Sequence, residues 1–409
     1  MKKDLEAIYW IFLSEALGYA SSKTKELVKI YSSSSNFFNL GFNEWKLSGI
    51  FNEKELIKLK NTKLEKAEKI LKVCKDYDYA VLTYNSEEYP KRLKEINNPP
   101  AVLYVKGNLP KIDDEILIAI VGTREPSVYG KNVAFNFGYN LGVEGVIVVS
   151  GGALGIDSAA QHGAIMAGGK VISVLGCGFN CRYPIKNEKL RESTAKNGAL
   201  ISEYPPDVPA IPRNFPIRNR IISALSLGIL VVEAGEKSGA LITADFAKKQ
   251  NKDIFAIPGN INSNYSIGPN KLIQNGAKLV TKVEDILYKY KASFLHTEEY
   301  KKDLLVDKKL NGINYRKMEV ILENENSVNN LGKNKLKNLN LISYQNNKEL
   351  SKLSKNSLLV YNQLSDGPLT LDDLVLKTDL NISEVIEITT ELEILGLIKS
   401  IPGGMYQKN

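Results

Sequence analysis

Five apolar runs rich in β-branched residues, each ending on a loop that carries glycine, constrain this chain most. Leu117-Ile-Ala-Ile-Val121 leads into Gly122-Thr-Arg124, and Val146-Ile-Val-Val149 into Ser150-Gly-Gly152. Val171-Ile-Ser-Val-Leu175 leads into Gly176-Cys-Gly178, and Leu227-Gly-Ile-Leu-Val-Val232 into Glu233-Ala-Gly-Glu-Lys-Ser-Gly239. Ile254-Phe-Ala-Ile257 ends on Pro258-Gly259. Runs that are apolar throughout, rather than alternating, are strands buried on both faces, the state of a parallel sheet covered by helices. Most spacers between them are helix-compatible. The pattern predicts an α/β fold with a doubly wound, extended Rossmann-like sheet, whose ligands sit at the carboxyl ends of the strands.

The loops describe the ligand. Glycine lets backbone N–H groups approach an anion, and a following helix adds partial positive charge. Gly122, Thr123 and Arg124 combine backbone, hydroxyl and guanidinium, while Ser150, Gly151 and Gly152 precede the Ala-rich segment from Ser158 to Ile165. Arg213, Phe215, Arg218 and Arg220 fall within eight residues, and Lys237 and Ser238 lie in the loop after the fourth run. Phosphates plus something flat is the natural reading. Arg218 and Arg220, at i and i+2, do not both face one groove easily. One is expected on the ligand and the other on Glu233 or Asp157. Phe215 is either a stacking platform or core, and its arginine neighbours favour stacking. Asp157 is expected to brace the glycine loop, and His162, without a Ser or Cys partner, to be structural. The pattern speaks against a nicotinamide or flavin dinucleotide site. Such a site needs G-x-G-x-x-G and an acid about 20 residues on, but Arg124 stands at the second glycine and the next strand ends in Ser150.

These residues carry a resemblance. Gly122-Thr-Arg124, Ser150 to Asp157, Phe215 to Ser226, Glu233 to Ala244 and Phe255-Ala-Ile-Pro-Gly259 resemble the DNA-processing protein A (DprA, or Smf) family, as do Glu88 to Leu93 and Pro99 to Gly107. The resemblance runs in order over about residues 80–290. It implies a protein that binds single-stranded DNA, dimerises, and helps load the RecA recombinase during natural transformation, with no cofactor and no catalysis. Ile261 to Ile273 resembles the part of that family that contributes dimer contacts. An enzyme reading competes, because the glycine loops are also similar to lysine-decarboxylase-like nucleotide phosphoribohydrolases. Ala234 to Ala240, however, lacks their Pro-Gly-Gly-x-Gly-Thr loop.

The remainder sets the organisation. The 409 residues allow two or three domains, and 43% hydrophobic with 24% charged residues is ordinary for a soluble chain. The net charge of +8 is compatible with a polyanionic partner. Three cysteines, Cys74, Cys177 and Cys181, make no disulfide framework, and no zinc site is expected. No apolar run is long enough to cross a membrane and the start lacks a signal-peptide pattern, so a cytoplasmic protein is expected. Residues 1–77 read as a helical packing or interaction module (in the position of the family's SAM or helix-hairpin-helix-like domain), with Leu5, Ile8, Phe12 and Leu13 on one face of a first helix and later helices about 23–31, 53–60 and 63–75, separated by the serine-rich stretch Ser32 to Asn36 and by Asn61-Thr62. Short strands near 79–84 and 101–106 extend the main sheet of a 78–290 domain. Residues 291–350, rich in Asn and Lys, read as a linker. Residues 351–409 read as a winged helix. Its third helix carries Glu384, Glu387, Glu391 and Glu393 and no Lys or Arg, which favours a protein-interaction or structural role over DNA reading.

Overall fold

The computed structural model describes residues 2–294, then 354–364, 367–378, 380–394, 397–401 and 405–408. From residue 295 on, the expected linker lies outside the described residues. The described residues form a nine-stranded sheet from β1 (Ala80–Thr83), β2 (Val102–Gly107), β3 (Leu117–Val121), β4 (Ile147–Ser150), β5 (Val171–Leu175), β6 (Gly198–Ser202), β7 (Gly228–Val231), β8 (Asp253–Ala256) and β9 (Lys278–Leu279). Their spatial order is β1-β2-β6-β5-β4-β3-β7-β8-β9. The pairs from β6 through to β9 are parallel, and β1 and β2 extend the sheet antiparallel beyond β6.

The uninterrupted apolar runs are explained by two cores. Leu117, Ala119 and Val121 of β3 face one, with Ile147, Val149, Ile172 and Val174. Ile118 and Ile120 face the other, with Val148, Val171 and Leu230. Each Val, Leu or Ile side chain among them, fully buried, contributes about 1.5–3 kcal/mol, so both faces demand apolar residues. All five expected strands are present. β6 and β9 were not foreseen: Gly198-Ala-Leu-Ile-Ser202 follows a helix and ends in polar residues. Gly198 is required where it stands, since a Cβ there would lie 2.0 Å from the Val171 carbonyl oxygen.

The chain winds outward from β3 through β4, β5 and β6, then crosses back to β7 on the other side of β3. The order therefore reverses between β3 and β7, and a crevice at the carboxyl ends is expected there. The N-terminal helices span Lys2–Leu17, Lys23–Tyr31, Ser34–Leu47, Glu53–Asn61 and Leu64–Asp76. The third replaces the expected serine-rich separator. Ser33 caps it, its Oγ accepting from the Asn36 N–H at 3.1 Å, so the serines start a helix instead of ending one. Trp10, Phe12, Phe37 and Trp45 pack with Val102, Tyr104, Leu175 and Leu200 of the sheet region, which makes this module a buttress of the sheet.

The C-terminal unit has helices Lys355–Gln363, Leu371–Thr378 and Ile382–Ile394 and strands Leu369–Thr370, Ile398–Ile401 and Met405–Lys408. Val360, Leu374, Val385 and Leu392 fill its core. The helices and the antiparallel strand pair make a winged helix. Thr370 caps the second helix, with Oγ1 accepting from the Asp373 N–H at 3.2 Å. Among the described residues, no helix is long and apolar enough to cross a membrane, and the three cysteines are free.

Candidate nucleic-acid interface

Gly122, Thr123 and Arg124 leave β3 at the point where strand order reverses. A Cβ on Gly122 would meet Ile156 at 2.5 Å and the Glu233 carbonyl at 2.8 Å, so only glycine lets the turn close. The Thr123 N–H donates to the Glu233 carbonyl at 2.7 Å, and its carbonyl accepts from the Ile156 N–H at 3.2 Å. With the backbone held on both sides, Arg124 projects into solvent, and its guanidinium carbon lies 5.5 Å from the centroid of the Phe215 ring.

Phe215 is half-buried and belongs to neither core cluster. The ring rests on Gly176, where a Cβ would come within 2.8 Å of it, and Tyr183 meets it at 5.4 Å with a 52° tilt. Tyr183 is 38% exposed. Sequence reasoning passed over this tyrosine. The signal available was an aromatic in the loop after β5, on the expected ligand edge. Arg213 and Lys237 are exposed, and neither has an ion pair among the described residues. Ser238 caps helix Gly239–Lys249, its Oγ accepting from the Ala240 N–H at 3.4 Å, beside Lys237. Three cations and two rings thus share one edge. Such an edge can hold phosphates by charge and a base by its face.

Five candidate contacts are corrected. Ser150 is fully buried and its hydroxyl donates to the Ile120 carbonyl at 2.8 Å, stapling β4 to β3. Gly151 and Gly152 are also buried. The Gly151 N–H donates to Asp157 Oδ2 at 3.0 Å, and the Gly152 carbonyl accepts from Asn187 Nδ2 at 3.0 Å. This loop is a brace whose polar groups serve the fold, and Asp157 braces it as expected. Burial pushes the Asp157 carboxyl up, against the pull of the neighbouring Arg218.

Arg218 is 4% exposed. Its Nη1 donates to the Gly151 carbonyl at 2.8 Å and also to the Val174 carbonyl, joining the ends of β4 and β5. Burial brings its pKa down to about 10. Arg220 is 1% exposed, and its Nη2 meets Glu203 Oε1 at 2.7 Å, a partner not foreseen. Its Nε donates to the Asn98 carbonyl at 3.1 Å, and the same Glu203 oxygen accepts from the Ala20 N–H at 2.9 Å. Residues i and i+2 on a helix are about 200° apart, so Arg218 and Arg220 point to opposite sides of helix Asn214–Leu225. Neither guanidinium is left for a ligand. His162 lies on helix Ile156–Met166, where burial lowers its pKa to about 4 and keeps the imidazole neutral near pH 7.

Fold and edge together define a Rossmann-like α/β protein with a basic, aromatic strand-end site and a winged helix. The model of the DNA recombination-mediator protein A family matches residues 80–291, and that of the DprA winged helix domain matches residues 347–404. DNA processing protein DprA of Bacillus subtilis (strain 168) is 42% identical over 221 residues, covering 54% of this chain and 74% of that protein. Protein Smf of Synechocystis sp. is 34% identical over 331 residues, covering 80% of this chain and 79% of that protein. The X-ray structure of DNA processing protein A from Streptococcus pneumoniae superposes with a TM-score of 0.59 at 32% identity, covering 68% of this chain and 95% of that one. The chain belongs to the DNA recombination-mediator protein A family.

Proposed function

We propose that this chain is a non-enzymatic single-stranded DNA-binding protein of the cytoplasm that protects incoming DNA and helps load the RecA recombinase onto it, as a homodimer. One observation carries the binding step: the exposed Arg124 guanidinium stands over a half-exposed phenylalanine at the strand-order reversal. In this mechanism Arg124, Arg213 and Lys237 take phosphates, and a base lies against Phe215 and Tyr183. Charge gives affinity without sequence preference, because each phosphate neutralised releases counterions, while every base offers a face to a ring. The buried glycine loop and Arg218 hold the platform still. Recombinase loading and dimerisation rest on membership of the family.

The test is a titration of labelled single-stranded oligonucleotide at several salt concentrations, run beside a nucleotide-hydrolysis assay. Salt-sensitive, sequence-tolerant binding without hydrolysis is the expected result. Turnover of a nucleotide with salt-insensitive binding would replace this reading with a nucleotide-hydrolysing enzyme.

A further inference from the structure

A second pair of exposed rings stands on the same strand-end edge, beyond Arg124. Tyr129, 55% exposed, is in the first turn of helix Val128–Val143, and Tyr265, 40% exposed, lies in the segment after β8. Both are anchored to one dipeptide at the end of β7. The Glu233 carboxylate accepts from the Ser127 N–H at 2.9 Å and from its hydroxyl at 2.5 Å, and Ser127 Oγ accepts from the Gly130 N–H at 3.0 Å. A Cβ on Gly130 would lie 2.2 Å from Glu233 Oε2, so this turn sits directly on the carboxylate. Next along, the Ala234 N–H donates to the Tyr265 carbonyl at 2.8 Å, and the Ala234 carbonyl accepts from the Gly268 N–H at 2.9 Å. Two loops distant in sequence are thereby fixed side by side, each presenting a tyrosine.

The sheet supplies the spacing. From β5, whose loop bears Tyr183, to β8, the order runs β5-β4-β3-β7-β8. Four steps at about 4.8 Å give roughly 19 Å. Arg124 follows β3 and Lys237 follows β7, so exposed cations stand between the two aromatic stations. A strand advances about 3.4 Å per nucleotide when stacked as in a duplex and up to about twice that when extended, so roughly three to six nucleotides span that distance.

We propose that Tyr265, with Tyr129 on the adjoining loop, forms a second stacking subsite for the same single strand, which crosses the strand ends from Phe215 to Tyr265. The proposal rests on the reading of the edge as a single-strand site. Val128, Ile261 and Ile267 are exposed nearby, and a contact between copies of the chain is the competing use of this surface. The cations lying between the rings favour the nucleic acid.

The test uses the full chain and homothymidine strands of about two and about twelve nucleotides, one too short for the span even when extended and one long enough for it even when stacked. Tyr265→Ala should weaken the longer strand roughly 5- to 10-fold and leave the shorter unchanged, since only the longer one reaches the second ring. Tyr265→Phe should keep full affinity, and Tyr129→Ala should repeat the length-dependent loss independently. Phe215→Ala, run in parallel, should weaken both lengths. If the unaltered chain binds neither length, the parent reading falls. If Phe215→Ala weakens both lengths while Tyr265→Ala and Tyr129→Ala weaken neither, the second subsite alone is overturned. A shift in oligomeric state by sedimentation that tracks the affinity loss would make these tyrosines an interface between copies and also overturn it.

Discussion

Two layers of cationic side chains meet at the strand ends, and they differ in what surrounds them. In the outer layer Arg124, Arg213 and Lys237 are exposed and carry no ion pair among the described residues. In the inner layer Arg218 and Arg220 are almost fully enclosed, their donors committed to strand-end carbonyls, to Asn98 and to Glu203. Arg213, Arg218 and Arg220 lie within eight residues of sequence and still divide between the layers. The inner layer holds the platform, and the outer layer is the one left exposed to solvent. A cluster of arginines is therefore no measure of how many phosphates a site takes.

The largest effect tests the inner layer. Arg220→Ala leaves the Glu203 carboxylate enclosed without its partner, and should lower unfolding free energy by about 3–5 kcal/mol. Denaturant titration reads this directly. Replacing both members, Arg220→Met with Glu203→Gln, should recover much of the loss because no buried charge is then left unpaired. Normal stability with lost DNA affinity in Arg220→Ala would move this arginine to the outer layer and break the comparison.

Periodicity made the sheet legible: the runs at 117–121, 146–149, 171–175, 227–232 and 254–257 had no other way to bury both faces. It missed β6, because Gly198 and Ser202 dilute a short apolar core, and β9, which is two residues long. The outer layer was legible in part. Arg124, Arg213, Lys237 and Phe215 follow strands or loops at the ligand edge; Tyr183 follows β5 at the same edge, but its pairing with Phe215 is made by the fold and not by neighbouring sequence. The inner layer was not legible. Which arginine of an i, i+2 pair turns inward depends on acceptors such as the Val174 carbonyl and Glu203, brought there by other elements. The glycine loop was misread for a related reason. Ser150-Gly-Gly152 has the composition of an anion cradle, but Asp157 and Asn187 already occupy its polar groups.

The outer layer should respond in binding and not in stability. Phe215→Ala should cost roughly 1–3 kcal/mol of single-strand affinity with an unchanged salt slope, since a ring releases no counterion. A fall of about 3–5 kcal/mol in stability with normal affinity would instead make Phe215 a packing residue. Arg124→Ala should cost about 1–3 kcal/mol of affinity and reduce the salt slope by roughly one ion, with melting unchanged. An unaltered slope would remove Arg124 from the phosphate contacts and leave the outer layer to Arg213 and Lys237.

The smallest effect is expected from the winged helix, the part of the chain that its fold would nominate for DNA. Helix Ile382–Ile394 stands at the usual reading position, yet it carries Glu384, Glu387, Glu391 and Glu393 and no basic residue. Three of these acids serve the unit itself. Glu384 exchanges hydrogen bonds with Asn381 at the helix start, Glu391 accepts from the Ser357 hydroxyl at 2.8 Å, and Glu393 accepts from the Ser400 N–H at 2.9 Å. Acids fixed in place on this helix would meet phosphates with like charge and no counterions to release. Removing residues 351–409 should therefore leave both the affinity and the salt slope of single-strand binding at their full-length values. Loss of most of the affinity in the truncated, still folded protein would show that the outer layer of the sheet does not hold the strand alone, and would return the winged helix to DNA reading despite its acids.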